Sequence, residues 1–445
     1  MLAPASRFSS SSVAASLMFL LLSPAVLAAP LIQPTTILSK GIETSYFGVS
    51  VAAHGDTLAV GAPGYAFVEL FDRDQGGPNH WGLVAHLETP TSFYDWGFGE
   101  DVALSGDTLA VGKTHYPDSS FEPASAYVYE RNRGGANSWG EVVKLFPSDP
   151  ADAPHFGSSV ALSGDTLAVG AGFLSSPSPA SVYLFERHQG GTDHWGEVRK
   201  VTLPGIAGSA ISVALRGDTL IVGASQDDGR GTDAGALYVF ERNQGGAGQW
   251  GLAQKLTASD TAAGHGFGFS VEISGDTIVV GAPGAAAAYI FEGSQGAWSE
   301  TRKLTISDSD TRFGGVVAID GDVVLVSAPR RFGGPGSSAY VFRRDLGGPG
   351  QWGEAGRLHA RSDLQSAAIS GNVAVLGNPD WGELFGPEVY IFDLGLLLAQ
   401  DVPALGPFGL AAMALLLLAA GWRISASRRR ALRRAGAGPG APGPR

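Results

Sequence analysis

The sequence predicts an all-β fold in which seven four-stranded blades close into a β-propeller. The first observation is a phrase that returns seven times, at intervals of 46 to 58 residues. The second is that each unit contains only segments of strand length, separated by turn residues. A period near 50 residues that is built from short strands indicates radial repetition. The seven copies span residues 54–61, 105–112, 163–170, 216–223, 274–281, 320–327 and 370–377.

One clear unit shows the four strands in order. Residues 267–274 alternate with period two, and residues 277–283 form a run of small and branched apolar residues. Residues 288–292 are aromatic and β-branched, and residues 298–304 begin at Trp and end in Lys-Leu. Gly-Asp pairs are predicted to close tight hairpins between strands one and two, and Gly-Gly pairs to do the same between strands three and four. The Trp residues that open the fourth strands are expected in the core between blades: Trp81, Trp139, Trp195, Trp250, Trp298 and Trp352.

The third observation concerns closure of the ring. The seventh unit ends after Tyr390-Ile391-Phe392 and has no fourth strand. Ahead of the first repeat, residues 36–40 resemble a fourth strand. We therefore expect the N-terminus to supply the missing strand, which removes the exposed edges of the first and last blades.

Both ends of the chain carry targeting features. The predicted segments are a signal peptide over 1–28, the propeller over 29–398, a linker that begins a sorting motif over 399–404, a transmembrane helix over 405–422 and an Arg-rich cytoplasmic tail over 423–445. Small residues at Val26-Leu27-Ala28 suggest cleavage after Ala28; a short N-terminal anchor is the alternative. Because Arg is retained on the cytoplasmic side, the propeller is expected outside, exported to the cell envelope or surface.

Composition excludes one class of partner. Eight of the 30 basic residues lie in the leader and the tail, whereas neither segment contains any of the 42 acidic residues. The middle of the chain is therefore strongly acidic, which argues against nucleic acid as a partner. The chain has no Cys, so the fold rests on its core alone, and this favours a bacterial envelope protein.

The repeated motif resembles the FG-GAP repeat. Its two halves stand here as Phe47-Gly48 with Gly61-Ala62-Pro63, and as Phe267-Gly268 with Gly281-Ala282-Pro283. The chain is similar to FG-GAP β-propellers, the fold of the integrin α-subunit head, over about residues 31–396. The resemblance implies a seven-bladed propeller with a ligand-binding or adhesive role.

No cofactor or metal is expected. The resemblance would bring calcium, but calcium-binding copies carry a loop of several acidic residues where this chain has only Ser-Gly-Asp. One carboxylate in each hairpin cannot surround a hard cation that needs several oxygens. The short acidic spots at Asp227, Asp228 and Asp233 are interpreted as solvated turns, with a metal as the alternative.

The C-terminus resembles the tripartite sorting tails of Gram-negative envelope proteins. Such a tail has a short motif, an apolar span and an Arg cluster, and the closest type begins Ile-Pro-Thr-Leu. Here Val402 and Ala404 replace Ile and Thr. The motif residues are Val402, Pro403, Leu405 and Gly406. The resemblance implies a sorting peptidase as a partner, and a plain membrane anchor is the alternative.

No catalytic motif is present, and the protein is expected not to be an enzyme. The sequence has no His-Glu zinc-protease motif, no Gly-x-Ser-x-Gly elbow and no P-loop. Arg216-Gly217-Asp218 spells an integrin-recognised tripeptide, but it occupies the hairpin where other repeats have Ser-Gly-Asp. A catalytic site assembled from distant blades stays an alternative, because spacing does not reveal it.

Antiparallel blades place their connections on two faces. We call the face of the 1–2 and 3–4 connections the hairpin face, and that of the 2–3 and 4–1 connections the variable face. The hairpin face repeats the same turns, whereas the variable face differs from blade to blade and is the expected binding surface. Its candidate ligand-binding residues are Tyr94, Asp95, Trp96, His115, Tyr116, Asp118, Phe121, Asp227, Asp228, Arg230, Arg330, Arg331, Trp381 and Glu383.

The sequence thus predicts a non-enzymatic envelope propeller for adhesion or recognition. Its expected partners are an extracellular protein or glycan, bound through the variable face, and the membrane, through the C-terminal helix. Two alternatives stay open at this point. One is an extracellular hydrolase or lyase with a site at the mouth of the pore, and the other is a structural envelope scaffold.

Overall fold

Seven sheets make up the fold. The computed structural model describes residues 30–40, 45–89, 96–114, 123–153, 155–172, 179–207, 211–307, 312–329, 337–361, 364–379 and 386–398. Six sheets contain four consecutive blade strands, and one of these six has a short fifth strand from the N-terminus; the seventh sheet contains three blade strands plus one from the N-terminus. The all-β propeller of seven four-stranded blades is confirmed.

The strands of the first four blades follow one another along the chain. Blade 1 contains β3 (Ser50–His54), β4 (Thr57–Ala62), β5 (Phe67–Asp72) and β6 (Gly82–Glu88). Blade 2 contains β7 (Phe98–Ser105), β8 (Thr108–Lys113), β9 (Ser125–Arg131) and β10 (Trp139–Leu145). Blade 3 contains β11 (Phe156–Ser163), β12 (Thr166–Ala171), β13 (Pro179–Glu186) and β14 (Gly196–Ala207). Blade 4 contains β15 (Ile211–Arg216), β16 (Thr219–Ala224), β17 (Ala236–Arg242) and β18 (Trp250–Leu256).

The last three blades include the two N-terminal strands. Blade 5 contains β19 (Val271–Ser274), β20 (Thr277–Ala282), β21 (Ala287–Ser294) and β22 (Ala297–Leu304). Blade 6 contains β23 (Val317–Asp320), β24 (Val323–Ala328), β25 (Ser337–Arg344), β26 (Trp352–Ala360) and the short β1 (Leu31–Ile32). Blade 7 contains β27 (Ser366–Ser370), β28 (Val373–Asn378), β29 (Glu388–Asp393) and β2 (Thr36–Ser39). The helices are α1 (Gly395–Leu398) and two 3-10 turns, Pro150–Asp152 and Pro283–Ala285.

The N-terminus closes the ring as predicted. Strand β2 pairs antiparallel with β29, with Leu38 opposite Val389. The Thr35 amide extends the ladder by donating to the Ile391 carbonyl at 2.8 Å. Strand β1 adds a feature that the sequence did not predict, because it pairs in parallel with β26 of blade 6. The N-terminal segment therefore ties blades 6 and 7 together.

Contact between neighbouring blades explains the two halves of the repeat. Gly99 has a φ of +89°, which favours Gly, and its carbonyl lies against Gly61 of the preceding blade. A Cβ on Gly61 would lie 2.1 Å from the Gly99 carbonyl oxygen. Gly112 and Gly157 show the same contact one blade later. The Phe-Gly of one blade and the Gly-Ala-Pro of the blade before it are thus parts of one interface.

Aromatic side chains fill the spaces between blades. Phe98 is fully buried, and its ring meets that of Tyr127 edge to face at a centroid distance of 5.1 Å. The six Trp residues that open the fourth strands are all buried, as predicted. Each lies in an apolar cluster that draws side chains from two neighbouring blades; Trp250, for example, shares one with Leu184. The core is therefore a ring of interfaces rather than one centre.

The predicted turns are partly correct. The Gly-Asp pairs close two-residue hairpins, with Gly55 at a φ of +58°. The Gly-Gly pairs do not form such tight turns, because they lie within longer loops, as at residues 73–81. In that loop Asp74 accepts a hydrogen bond from the Asn79 amide at 2.5 Å, which bridges the extra length.

The predicted ends of the chain lie outside the described residues. This applies to the signal peptide over 1–28, the transmembrane helix over 405–422, the tail over 423–445 and the whole sorting motif. Among the residues that the structure describes, no helix has the length and apolar character needed to cross a membrane.

Candidate functional site

Arg side chains crosslink neighbouring blades on the hairpin face. The Arg187 guanidinium reaches Glu130 of the preceding blade at 2.6 Å and the hairpin carboxylate of Asp165 at 3.0 Å. Its charged carbon also lies 5.3 Å from the centre of the Trp195 ring. One side chain thus joins two blades, a hairpin and an inter-blade Trp.

The same arrangement recurs at three other junctions. Arg131 bonds to Asp72 of the preceding blade, Arg242 bonds to Glu186, and Arg344 bonds to Glu292. Each of these Arg residues also lies over the Trp that opens its own fourth strand. The Asp of the Gly-Asp hairpin therefore serves as an ion-pair partner as well as a turn residue.

A second ring of hydrogen bonds runs along the ends of the first strands. The Ser105 hydroxyl accepts from the Gly164 amide of the next blade at 3.0 Å. Ser163 and Ser274 accept in the same way from Gly217 and Gly321. The polar groups of the hairpin face are thus committed to holding the blades in register.

The Arg216-Gly217-Asp218 tripeptide belongs to this scaffold. Gly217 has a φ of +54° at the turn between β15 and β16. The Asp218 carboxylate accepts from Arg242 Nε at 2.7 Å. The tripeptide therefore forms a structural hairpin, as the sequence predicted, and Asp218 pairs with Arg242 as Asp107 and Asp165 pair with the Arg residues of their own blades.

Most predicted ligand-binding residues lie outside the described part of the chain. Trp96, Asp227, Asp228 and Arg230 are described. The others fall in undescribed segments of the variable face: Tyr94, Asp95, His115, Tyr116, Asp118, Phe121, Arg330, Arg331, Trp381 and Glu383. Their role in binding stays a prediction.

Trp96 is strongly exposed beside a second aromatic residue. The connection that carries Trp96 is fastened to the 2–3 connection of blade 1, because the Gly97 amide donates to the Pro63 carbonyl at 3.0 Å. Tyr65 lies two residues beyond Pro63. Trp96 is 52% exposed and Tyr65 is 45% exposed. Two large aromatic side chains therefore stand in adjoining connections on the variable face.

Asp227 has a structural role that the sequence did not reveal. Its carboxylate is buried and accepts from the Tyr238 hydroxyl at 2.5 Å and from Lys255 at 2.7 Å. Burial alone would raise the pKa of Asp227, but these two partners hold it below its ordinary value. Asp149 receives the same pair of donors, a Tyr and a Lys, in another blade.

Asp228 and Arg230 lie at the surface. The Asp228 carboxylate accepts from the Asp233 amide at 2.8 Å, which is a local turn contact. Arg230 is exposed in the same connection. In the described part of the chain, no three His, Asp or Glu side chains are grouped so that they could hold a metal ion.

Three exposed aromatic residues were missed by the sequence analysis. These are Tyr65, Phe146 and Phe269, and all three lie on the variable face with Trp96. Local sequence gave one usable signal, which is that Phe269 follows Phe267-Gly268 at a position without an aromatic residue in the other blades. Tyr65 and Phe146 carry no such signal, because exposure depends on how neighbouring connections pack.

A channel of about 650 Å³ runs along the axis of the propeller, lined by the first strands of all seven blades. Pro283, Arg312 and Pro329, which belong to 2–3 and 4–1 connections, line one end. The channel therefore opens onto the variable face. Only three ionisable side chains line it within the described residues, namely Asp101, Glu272 and Arg312.

Asp101 is a hydrogen-bonded hub between blades. It accepts from the Ser50 hydroxyl at 2.9 Å, from the Val160 amide at 2.7 Å and from its neighbour Val102 at 3.0 Å. It therefore links blade 2 to blades 1 and 3. Burial raises the pKa of Asp101 to about 6 despite these donors.

Glu272 has far less support. Its one hydrogen bond among the described residues is a long contact of 3.3 Å from the Ile273 amide. Burial and the like charge of Asp101 raise the pKa of Glu272 to about 7. The channel therefore contains one well-bonded carboxyl group and one nearly unbonded carboxyl group.

Comparison with known families identifies the repeats. Residues 139–185, 195–240, 250–295 and 298–342 match the model of the FG-GAP repeat. The chain carries FG-GAP repeats. Each matched FG-GAP unit begins at the fourth strand of one blade and ends at the third strand of the next. Every unit thus spans two blades. Because a unit begins with a fourth strand, the first unit of the chain begins with β2, and β2 completes blade 7.

Several solved structures are similar to this chain at low sequence identity. A chain of the mitotic checkpoint complex is 11% identical with a TM-score of 0.54, covering 88% of this chain and 98% of that chain. A Bacteroides fragilis protein proposed to be a 6-phosphogluconolactonase is 10% identical with a TM-score of 0.50, covering 77% and 89%. The periplasmic gluconolactonase PpgL of Pseudomonas aeruginosa is 14% identical with a TM-score of 0.49, covering 74% and 92%. None of the curated proteins matches the FG-GAP chain in sequence.

Proposed function

We propose that this FG-GAP propeller is an exported, non-enzymatic recognition module of the cell envelope, bound to its ligand through the variable face. One observation carries the proposal. Every exposed aromatic side chain in the described residues lies on that face: Tyr65, Trp96, Phe146 and Phe269.

The location of the exposed aromatic side chains on one face indicates a binding surface. A large exposed aromatic side chain has apolar surface that would gain by contact with a partner, and Tyr and Trp are enriched in binding hot spots. The hairpin face has no exposed aromatic side chain among the described residues, and its crosslinking Arg side chains are paired with carboxylates of neighbouring blades. A rigid scaffold that presents variable connections on one side is a common design for recognition.

The ligand class that we propose is an extracellular protein or a glycan, because aromatic side chains serve both. The integrin-like resemblance supports an adhesive role. The predicted leader, membrane helix and sorting motif support an envelope location with the propeller outside and a sorting peptidase as a processing partner.

The experiment is a binding screen with matched variants. The purified protein is tested against a glycan panel and isolated envelope proteins, beside the double variant Tyr65→Ala/Trp96→Ala. The control is Leu83→Ala/Leu252→Ala, which removes two exposed apolar side chains from outer strands. We expect the aromatic variant to lose at least about tenfold in affinity and the control to bind normally. Unchanged binding by the aromatic variant would reject the proposed surface.

The hydrolase or lyase alternative also has one observation in its favour. Asp101 and Glu272 line one channel with pKa values raised to about 6 and about 7, a range that suits proton transfer. A screen of glycoside and lactone substrates with Glu272→Gln as the comparison would decide it. Turnover that disappears in the variant would establish the enzyme.

A further inference from the structure

The first strand of blade 5 departs from the other six at a position that faces the channel. Glu272 stands there, whereas every other blade has Ala at the equivalent place. All six of these Ala residues line the same channel. They are Ala52, Ala103, Ala161, Ala214, Ala318 and Ala368. Six blades show that the fold needs only a methyl group here, so the carboxyl group has no structural necessity.

Glu272 also lacks the partners that a carboxylate in a confined space normally has. Asp101, by contrast, accepts from Ser50, Val102 and Val160. No cation within the described residues forms an ion pair with Glu272. Glu272 is half-buried in the wall of the channel, and a cation there would supply the counter-charge that its carboxylate lacks among the described residues.

An aromatic ring stands just before the same strand, at the mouth of the channel. Phe269 lines the cavity and is 55% exposed, although Phe is normally buried. The equivalent residues of the other blades are Val49, Glu100, Ser158, Ile211, Gly315 and Gln365. Blade 5 therefore brings two unexplained features together, an exposed ring at the rim and an unpaired carboxyl group inside.

An aromatic ring and a carboxylate that line the same cavity are the chemistry that recognises organic cations. The ring attracts an ammonium group through its quadrupole, and the carboxylate neutralises the charge. Arg312 at the rim repels any cation, so contact with the Phe269 ring is the feature that would favour an organic cation over a metal ion. The cavity of about 650 Å³ is large enough for a small molecule rather than a single ion.

We propose that the central channel binds a small organic cation, with Glu272 as its counter-ion and Phe269 against its ammonium group. The site borders the variable face, because Phe269 lies in a 4–1 connection, whereas Glu272 belongs to β19 inside the channel. Tyr65 and Trp96, which the binding screen changes, do not line the channel, so different variants test the two sites.

The test uses choline and its uncharged isostere 3,3-dimethylbutanol, titrated into the purified protein by calorimetry or saturation-transfer NMR. Putrescine serves as a second cation. We expect saturable binding of choline that is at least about tenfold tighter than binding of the isostere. Equal binding of the two, or no saturable binding of either cation, would overturn the proposal.

Variants locate the site within the channel. Glu272→Gln keeps the shape and is expected to remove the preference for choline over its isostere, and Phe269→Ala is expected to weaken choline binding severalfold. The controls are Glu141→Gln, which changes an exposed carboxylate on β10, and Phe146→Ala, which removes a different exposed ring. Choline binding that survives Glu272→Gln unchanged would also overturn the proposal.

The pH dependence gives a third readout. Choline is charged at every pH, so only protein groups titrate. With the pKa of Glu272 raised to about 7, the ionised fraction and the choline affinity should rise about tenfold between pH 6 and pH 8. Asp101 and Arg312 are the other charged groups among the described residues that line the channel. A flat profile would contradict Glu272 as the counter-ion.

Discussion

The two faces of the propeller use similar residue types for opposite purposes. On the hairpin face, Arg187 is bonded to the preceding blade and stacked on Trp195. On the variable face, Arg230 and Trp96 are exposed. The difference shows that residue type alone does not identify a binding surface. A side chain that is already bonded or packed within the fold is not available to a ligand, whereas an exposed one is.

The largest expected loss of stability comes from removing an Arg crosslink of the hairpin face. Arg242→Ala removes the cationic partner of Glu186 and Asp218, and leaves the mostly buried Glu186 carboxylate without a counter-charge. We expect the free energy of unfolding to fall by about 3 kcal/mol, measured by urea denaturation. The matched control is Arg230→Ala on the variable face, which should stay within about 0.5 kcal/mol of the parent. Equal losses in the two variants would remove the distinction between the faces.

A second prediction compares two junctions within the hairpin face. Gly293 stands where blades 2, 3, 4 and 6 have the crosslinking Arg, so Glu241 bonds instead to Thr219 and the Gly296 amide. Burial raises the pKa of Glu241. Glu186→Gln, which weakens an ion pair with Arg242, should cost about 1.5 kcal/mol at pH 7.

Glu241→Gln should cost nothing or stabilise slightly at pH 7, because the ionised form is the disfavoured one in the folded state. Both variants are measured by urea denaturation in the same buffer. If Glu241→Gln lowered the free energy of unfolding more than Glu186→Gln, the absence of an Arg partner would not explain the difference between the two carboxylates.

A third prediction concerns stability against pH at the channel. The pKa of Glu272 is about 7 in the folded state against an ordinary value of 4.5, so the folded state holds a proton that the unfolded state releases. Stability therefore falls as pH rises from 4.5 through 7. Glu272→Gln should be about 3 kcal/mol more stable than the parent at pH 8 and equal to it near pH 4. A constant difference across that range would contradict the assigned pKa.

The smallest expected effect on stability comes from adding a missing hydrogen bond to the hairpin face. Arg216 stands where Ser163 and Ser274 accept a hydrogen bond from the hairpin Gly of the next blade. Arg216→Ser should restore that bond to the Gly275 amide and raise the free energy of unfolding by about 0.5 kcal/mol. Arg216→Ala is the control, with no gain expected. A gain shared by both variants would point to removal of the charge instead.

These comparisons show what a sequence can and cannot reveal. The seven blades and the closing strand were predictable because strand periodicity and the recurring Trp are local signals. The Arg crosslinks were not, since Arg187 and Glu130 meet only when two blades pack. The role of Asp227 was missed for the same reason. Glu272 could have been found by aligning the seven first strands, where it interrupts a column of Ala.

The variable face was predictable in place but not in detail. Its location follows from the topology of antiparallel strands, whereas exposure of Tyr65 depends on how the connection of blade 1 packs against that of Trp96. Of the predicted ligand-binding residues, Trp96 alone is an exposed aromatic residue in the described part of the chain.

The most direct measurement pairs stability with binding for one variant from each face. Arg242→Ala and Tyr65→Ala/Trp96→Ala are compared for urea unfolding and for affinity toward a ligand found in the glycan and envelope-protein screen. The account predicts that the first loses about 3 kcal/mol of stability and keeps its affinity while folded. It predicts that the second keeps its stability within about 0.5 kcal/mol and loses at least about tenfold in affinity. Affinity lost by the hairpin-face variant and kept by the variable-face variant would contradict the division of labour between the two faces.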